Sequence, residues 1–354
     1  MNFNTIFLKT FRLILLPVSI LYGIIVIARN FLYDKKILRS VKFNFPIICI
    51  GNLVMGGTGK STMVEFLAGA LQHEMKVATL SRGYKRRTKG YILASEKTSA
   101  LEIGDEPMQF HLKYPGITVA VCEDRIVAVP QILQDRPETK VIILDDAFQH
   151  RAITAGLNIL LTQYGDLYTH DFFLPSGDLR DQKSSAKRAE IIVVTKCPSD
   201  LSIEEKKTIE KNLHIHKKCA LFFTTLEYGI PYHIITQAQK PLAPGGEVVL
   251  VSGIANPGPL KKYLEKNTAA FYQLNFSDHH IYTIDDMKGI SKKFEQVQCH
   301  EKIILTTEKD AVRLIKFENT LMDLPLYVLP VRNQFLFQDE EKFITMIKHF
   351  ISSF

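Results

Sequence analysis

From Pro46 onward, short apolar runs alternate with stretches of helical period. The runs "IICIG" (47–51), "VATLS" (77–81), "ITVAV" (117–121), "VIILD" (141–145), "NILLT" (158–162) and "IIVVT" (191–195) predict strands. Between the first two, Met63, Phe66, Leu67, Ala70 and Leu71 recur at helical spacing, predicting a helix over 60–72. "LSIEEKKTIEKNL" (201–213) reads as an exposed amphipathic helix. A second set opens near Glu247 with "VVLVSGIA", continues through "KIILTTEKDAVRLI" (302–315), and closes with "LPLYVLP" and a terminal helix. Strand-like "FFTTLEYGIPYHIITQ" lies between the sets, with "YGIP" as a turn. Alternation of this kind predicts an α/β fold with a mainly parallel sheet and a second, smaller α/β lobe.

The amino terminus breaks the pattern. Between Arg12 and Arg29 lies "LILLPVSILYGIIVIA", without a charge and with apolar residues on every side of the helix it predicts. At about 1.5 Å per residue it would span roughly 24 Å, short of the roughly 30 Å hydrocarbon layer. Phe11 on one side and Phe31 to Tyr33 on the other make up part of the deficit. Three readings stand: a membrane anchor, a buried core helix and a cleaved signal peptide. Lys35, Lys36, Arg39 and Lys42 follow the segment, against Lys9 and Arg12 before it, and this bias places the body of an anchored chain in the cytoplasm.

The 354 residues, 46% hydrophobic, suffice for two lobes with their own cores. A formal charge of +7 suits anionic partners without selecting one. The five cysteines lack any C-x-x-C pair, so neither a disulfide framework nor a zinc site is indicated.

Chemistry concentrates in a few stretches. "VMGGTGKST" (54–62) sits between a strand and a helix, the context of a phosphate-binding loop, although Val54 stands where the first glycine of G-x-x-x-x-G-K-[ST] belongs. On that reading N–H groups of Gly57, Thr58, Gly59, Lys60, Ser61 and Thr62 cradle ATP phosphates, Lys60 reaches outward and Ser61 binds Mg²⁺. The expected organisation is then a membrane-associated helix and basic linker over 1–42, a P-loop core over 43–215, and a C-terminal lobe over 216–354. "VIILDDAFQH" (141–150) ends a buried strand with Asp145 and Asp146, either of which suits the metal or its waters. "LSRGYKRRTKG" (80–90) packs basic residues around Tyr84 and fits nucleic acid, a lipid headgroup or sugar phosphate, or a solvated charge run. In "EIGDEPMQF" (102–110), Asp105 is either a helix cap or a catalytic acid, with Glu106 beside it. "NFSDHHIY" (275–282) places Asp278 beside His279 and His280, a pairing able to take a proton from a hydroxyl or, with further ligands, to hold a metal.

Seven blocks in order, "GNLVMGGTGKST", "LSRGY", "GDEP", "DDAFQHR", "LPSGDLRD", "SDHH" and "TEKDAVR", make the chain resemble the tetraacyldisaccharide 4'-kinase family of lipid A biosynthesis over nearly its whole length. The resemblance implies a P-loop NTPase-like kinase with an N-terminal membrane-anchor helix. It implies transfer of the ATP γ-phosphate to the 4'-hydroxyl of an acylated glucosamine disaccharide 1-phosphate at the inner membrane. It puts the base on Asp105, with His279 as its partner and Lys60 and Asp146 as further catalytic groups. The metal falls to Ser61 and Asp145, with Glu106 as a further candidate, and the acceptor to Tyr84, Gln149, His150 and Arg180. "SRGYKRR" becomes a headgroup surface, and no nucleic acid is expected. Oligomerisation is not indicated. Because Asp105 and His279 lie on different lobes, an open form with hinges between 200 and 245 is expected. A membrane-tethered P-loop ATPase switch is the competing class; it would need neither Asp105 nor His279.

Overall fold

The computed structural model describes residues 12–216 and 218–354. Lys9 and Phe11, used above for charge bias and helix length, lie outside them. The chain runs α1 (Leu16–Asp34), β1 (Ile47–Asn52), α2 (Lys60–Leu71), β2 (Val77–Ser81), β3 (Ile92–Leu93), α3 (Asp105–Lys113), β4 (Thr118–Val121), α4 (Arg125–Asp135), β5 (Val141–Asp145), β6 (Leu157–Gln163), β7 (Ile191–Thr195), α5 (Ile203–Leu213) and β8 (Ala220–Tyr228). Then come β9 (Tyr232–His233), β10 (Glu247–Ser252), α6 (Gly258–Asn267), β11 (Ala270–Asn275), α7 (Ile284–Gln296), β12 (Lys302–Thr307), α8 (Glu308–Leu314), β13 (Leu326–Leu329), β14 (Val331–Phe335) and α9 (Glu340–Ser352).

The larger sheet has nine strands in the order β14-β8-β7-β6-β1-β5-β2-β4-β3, antiparallel only at its two edge pairs. β1 lies inside it between β5 and β6, and all six of its residues are buried, as a central strand covered on both faces requires. The phosphate loop therefore starts from the most constrained part of the lobe. The smaller sheet, β9-β13-β12-β10-β11, is parallel apart from β9.

Strand pairing redraws the lobe boundary expected at 216. β8 pairs with β7 in the larger sheet, and β14 returns from the second lobe to pair with β8. The "YGIP" turn is thus a crossing between sheets, since β8 and β9 belong to different ones. The terminal helix also belongs to the first lobe. Phe343 and Ile347 of α9 and Phe335 of β14 pack against Phe66 of α2 and Phe222 of β8. Aromatic burial decides this, and it acts between residues too distant in sequence for a local pattern to register.

The amino-terminal helix docks by one face. Ser19, Gly23, Val26 and Asn30 form its buried stripe, whereas Ile20, Leu21, Ile24 and Ile25 are more than half exposed at 57–61%. Composition placed apolar residues all around this helix; the body takes the small and polar stripe because it supplies partners for it. Ser19 Oγ donates to Ser176 Oγ at 2.8 Å, Asn30 Nδ2 to Asp181 Oδ1 at 2.7 Å, and Tyr22 Oη to the Arg180 carbonyl at 3.1 Å. At Gly23 any Cβ would lie 2.7 Å from the Phe173 ring. The outward apolar face is incompatible with a buried core helix. By length and composition the segment is apolar enough to cross a membrane.

Candidate active site

The site lies at the carboxyl ends of the larger sheet's strands, where parallel α/β folds open a crevice. After β1 the chain turns through Val54–Gly59 into α2, and the turn is propped from outside: Val54 bridges to Leu179, and the Met55 N–H donates to the Asp178 carbonyl at 2.7 Å. Gly59, the cap of α2, has φ 83°, a left-handed conformation that excludes most side chains. Gly57, Thr58, Gly59, Lys60, Ser61 and Thr62 thus occupy a helix N-terminus, where N–H groups and the helix dipole face outward.

Asn52 is the hub behind this loop. Its amide donates to Thr58 Oγ1 at 2.8 Å, and its Oδ1 accepts from Lys60 Nζ at 3.3 Å and Arg180 Nη2 at 2.5 Å. Lys196, past β7 in left-handed backbone, donates to the Gly57 carbonyl and to Gln163 Oε1. Neither Asn52 nor Lys196 was singled out from sequence. A lysine at the end of an apolar strand in "IIVVTK" was the available signal.

Asp145 ends β5, buried, with Ser81 Oγ donating to its Oδ2 at 3.3 Å. Burial, reinforced by the charge of Asp146, pushes its carboxyl up to about 7. Asp146 takes left-handed backbone and turns toward the loop, bonded to Arg180 and 3.8 Å from Lys60. Burial opposes its charge, but Lys60 and Arg180 outweigh that and hold it below the usual carboxylate range. The two neighbours thus differ, one a buried carboxyl and the other a paired anion. Among the described residues no three His, Cys, Asp or Glu side chains make a ready-built metal cage.

α3 brings the acid. Its cap is Gly104, and Asp105, first residue of the helix, makes no capping bond. The Asp105 side chain crosses to the second lobe, where His279 Nδ1 lies 2.6 Å from Oδ2 and Arg313 Nε donates to the same oxygen at 3.0 Å. Burial raises its pKa, but the His279 bond and Arg313 prevail and keep it lowered. The expected open form is not what the structure has: the two lobes already meet at this pair. Interlobe charge explains it, since Lys113 of α3 bridges Glu65 of α2 at 3.0 Å and Glu308 of α8 at 2.7 Å. Glu106 pairs with Lys309 of α8 at 3.1 Å, close enough to the phosphate loop for its charge to act on Lys60 and Asp145. His280 instead bonds Asp286 at 2.9 Å and stacks among Phe276 and Tyr282, a structural post.

Arg180, Gln149 and His150 gather between the loop and α1, whereas Tyr84 stands at the seam. Arg180 joins Asp146 to Asn52. Gln149 donates to the Asn52 carbonyl at 2.6 Å and accepts Arg29 of α1 on its own carbonyl at 2.8 Å. His150 is half-buried, its pKa lowered by burial and by Arg125. Tyr84, 63% exposed, sets its ring edge-on to His279 at 5.6 Å between centroids. Buried Gln149 Oε1, Arg180 Nε and Arg125 Nε have no partner among the described residues.

Comparison with known proteins gives the family. The family model for tetraacyldisaccharide-1-P 4'-kinase matches residues 11–352. Tetraacyldisaccharide 4'-kinase of Flavobacterium johnsoniae is 41% identical over 96% of this chain and 97% of its own. That of Parabacteroides distasonis is 42% identical over 96% and 95%. Among solved structures, the "apo" form of LpxK from Aquifex aeolicus in complex with ATP superposes with a TM-score of 0.75 at 30% identity, covering 96% of this chain and 99% of that one. With a phosphate loop, a two-lobed α/β frame and the matched length all in agreement, the chain belongs to the tetraacyldisaccharide-1-P 4'-kinase family.

Proposed function

We propose that this kinase transfers the γ-phosphate of ATP to the 4'-hydroxyl of an acylated glucosamine disaccharide 1-phosphate at the cytoplasmic face of the inner membrane, forming the bis-phosphorylated lipid A precursor, lipid IVA. The observation that carries this reading is the Asp105–His279 pair: a carboxylate held by an imidazole at 2.6 Å, on a helix whose next residue acts electrostatically on the phosphate-loop lysine. A switch that only hydrolysed ATP would have no use for it.

The chemistry follows from position. Gly57 to Thr62 hold the phosphates at the start of α2, and Lys60 follows the charge developing on the transferred group. Ser61 and Asp145, hard oxygen donors, suit Mg²⁺, which takes one or two protein oxygens and completes its shell with phosphate and water. Mg²⁺ supplies charge neutralisation on the phosphates when bound. Asp146 and Arg180 orient the loop. Asp105 accepts the hydroxyl proton as the sugar oxygen attacks in line. Tyr84, Gln149, His150 and Arg180 line the acceptor side, where the partnerless polar atoms of Gln149, Arg180 and Arg125 suit a phosphorylated sugar. α1 is bonded to that wall through Arg29 and Tyr22, and its opposite, outward face suits acyl chains or bilayer.

The test is transfer of labelled γ-phosphate to tetraacyldisaccharide 1-phosphate in detergent micelles. Lys60→Ala is expected to lower kcat by about 10³-fold, and Asp105→Asn by about 10²–10⁴-fold. Absence of lipid product from the wild type, with ATP hydrolysis that Asp105→Asn leaves intact, would make the protein a tethered switch.

A further inference from the structure

The block "TEKDAVR" forms the end of β12 and the helix α8, and nothing above gives its cations a part in the reaction. Lys309 and Arg313 are four residues apart, hence on one face of α8, and that face meets the first lobe's acid. Arg313 is firmly seated. Its Nη1 reaches the His280 carbonyl at 3.3 Å and Asp310 Oδ1 at 3.5 Å. Asp310, fully buried, is in turn fixed by Tyr282 Oη, the Gly253 N–H and Thr307 Oγ1. The guanidinium that touches Asp105 Oδ2 therefore has little freedom.

Lys309 has three acceptors for three ammonium protons: Glu106 Oε1 at 3.1 Å, Asp278 Oδ1 at 3.3 Å and His279 Nε2 at 3.2 Å. An ammonium has no lone pair, so the bond to His279 makes Nε2 the acceptor. The ring proton then sits on Nδ1, the atom facing Asp105. Both His279 and Arg313 engage Oδ2 of that carboxylate, and Oδ1 has no partner among the described residues.

We propose that Lys309 and Arg313 are positioning residues of phosphoryl transfer, fixing the His279 tautomer and the rotation of the Asp105 carboxylate so that Oδ1 is presented to the acceptor hydroxyl. The proposal rests on the reading of Asp105 as base. In the step, the sugar oxygen bonds to the γ-phosphorus while the bond from that phosphorus to the ADP oxygen breaks, its electron pair leaving with ADP. The hydroxyl proton goes to Asp105 Oδ1. His279 does not take it, because Nδ1 already carries a proton and the Nε2 lone pair is engaged by Lys309.

A purely structural role would be to hold the lobes together, and the test separates the two. Full-length enzyme in detergent micelles is assayed with ATP and tetraacyldisaccharide 1-phosphate, comparing Lys309→Met, Lys309→Arg and Arg313→Lys, each alone and combined with Asp105→Asn. Misplacing a reacting group by about 1 Å costs on the order of 10²-fold, so Lys309→Met and Arg313→Lys are expected to lower kcat by about 10- to 100-fold with both KM values within about twofold. Lys309→Arg should recover most of the loss. In the Asp105→Asn background the same changes should cost less than about twofold, because what they position is gone. Losses that add fully in both backgrounds, or that fall on KM with kcat intact, would overturn the proposal. Should Lys309→Met fail to fold by thermal unfolding, the two charge-retaining variants decide alone. Full transfer by Asp105→Asn itself would instead remove the base reading beneath it.

Discussion

The phosphate loop and the seam between the lobes do complementary jobs and are encoded in opposite ways. The loop is contiguous: nine residues, 54–62, hold its glycines, lysine and hydroxyls, and β1 and α2 set its geometry. The seam is assembled from α2, α3, the 276–281 loop and α8, so that the Asp105–His279 bond joins residues 174 apart. On the proposed function, what would bind the donor is local, and what would ready the acceptor exists only when two lobes have folded against each other. Damage should therefore differ in kind: loop substitutions should abolish chemistry in a stable protein, whereas seam substitutions should move stability and chemistry together.

The sharpest break of that comparison is Lys113→Met. The ammonium neutralises two buried carboxylates, Glu65 and Glu308, on different lobes. Removing one partner of a buried ionic cluster costs about 3–5 kcal/mol, so a fall in Tm with loss of transfer is expected in thermal unfolding followed by circular dichroism. Its pH dependence has a sign. Burial pushes Glu65 up from 4.5 to about 7. Between those values the folded chain keeps a proton that the unfolded chain has released, so this carboxyl's contribution to stability falls as pH rises through that window. In Lys113→Met the fall should extend to higher pH, because the carboxyl loses the cation that lowers its pKa. An unchanged Tm would mean that the seam does not depend on this cluster.

Next in size is Gly104→Ala, at the junction of two blocks that the sequence read separately. Gly104 has φ 93° and ψ 162°, a conformation essentially restricted to glycine, and an added Cβ would lie 3.0 Å from the Tyr84 carbonyl. Such strain costs about 1–3 kcal/mol. Since Asp105 follows directly, kcat should drop more than ATP binding does. Equal losses of both would place the damage in the loop rather than in the acid.

These residues also show what the sequence could reveal. Strands 77–81, 141–145 and 191–195 have the bounds their apolar runs predicted, because a buried parallel strand is a continuous hydrophobic stretch. The loop was legible through its strand–turn–helix context. The return of β14 and α9 to the first lobe was not, since "VRNQF" and a terminal amphipathic helix look alike wherever they pack. Asn52 passed unnoticed because a buried asparagine becomes a hub only when Lys60, Thr58 and Arg180 surround it. Asp105 and His279 stood out by residue type in separate stretches, and only the family resemblance paired them; their spacing alone carried no sign of contact.

The smallest effect on the folded body is expected at α1, which differs from both loop and seam in facing outward with its apolar side. Ile24 is 58% exposed while its neighbour Gly23 lies against Phe173. Ile24→Ala removes nothing from the core, so stability in detergent should stay within about 0.5 kcal/mol. If this face meets lipid, each methylene-sized group withdrawn weakens binding by about 0.8 kcal/mol, and co-sedimentation with anionic vesicles should fall several-fold. Transfer to a short-chain, water-soluble acceptor should be untouched, because the bonds that tie α1 to the acceptor wall come from Tyr22 and Arg29 on its other side. Unchanged sedimentation would show that the outward face does not meet lipid, and a parallel loss of transfer to the soluble acceptor would show that α1 acts on the site through packing instead.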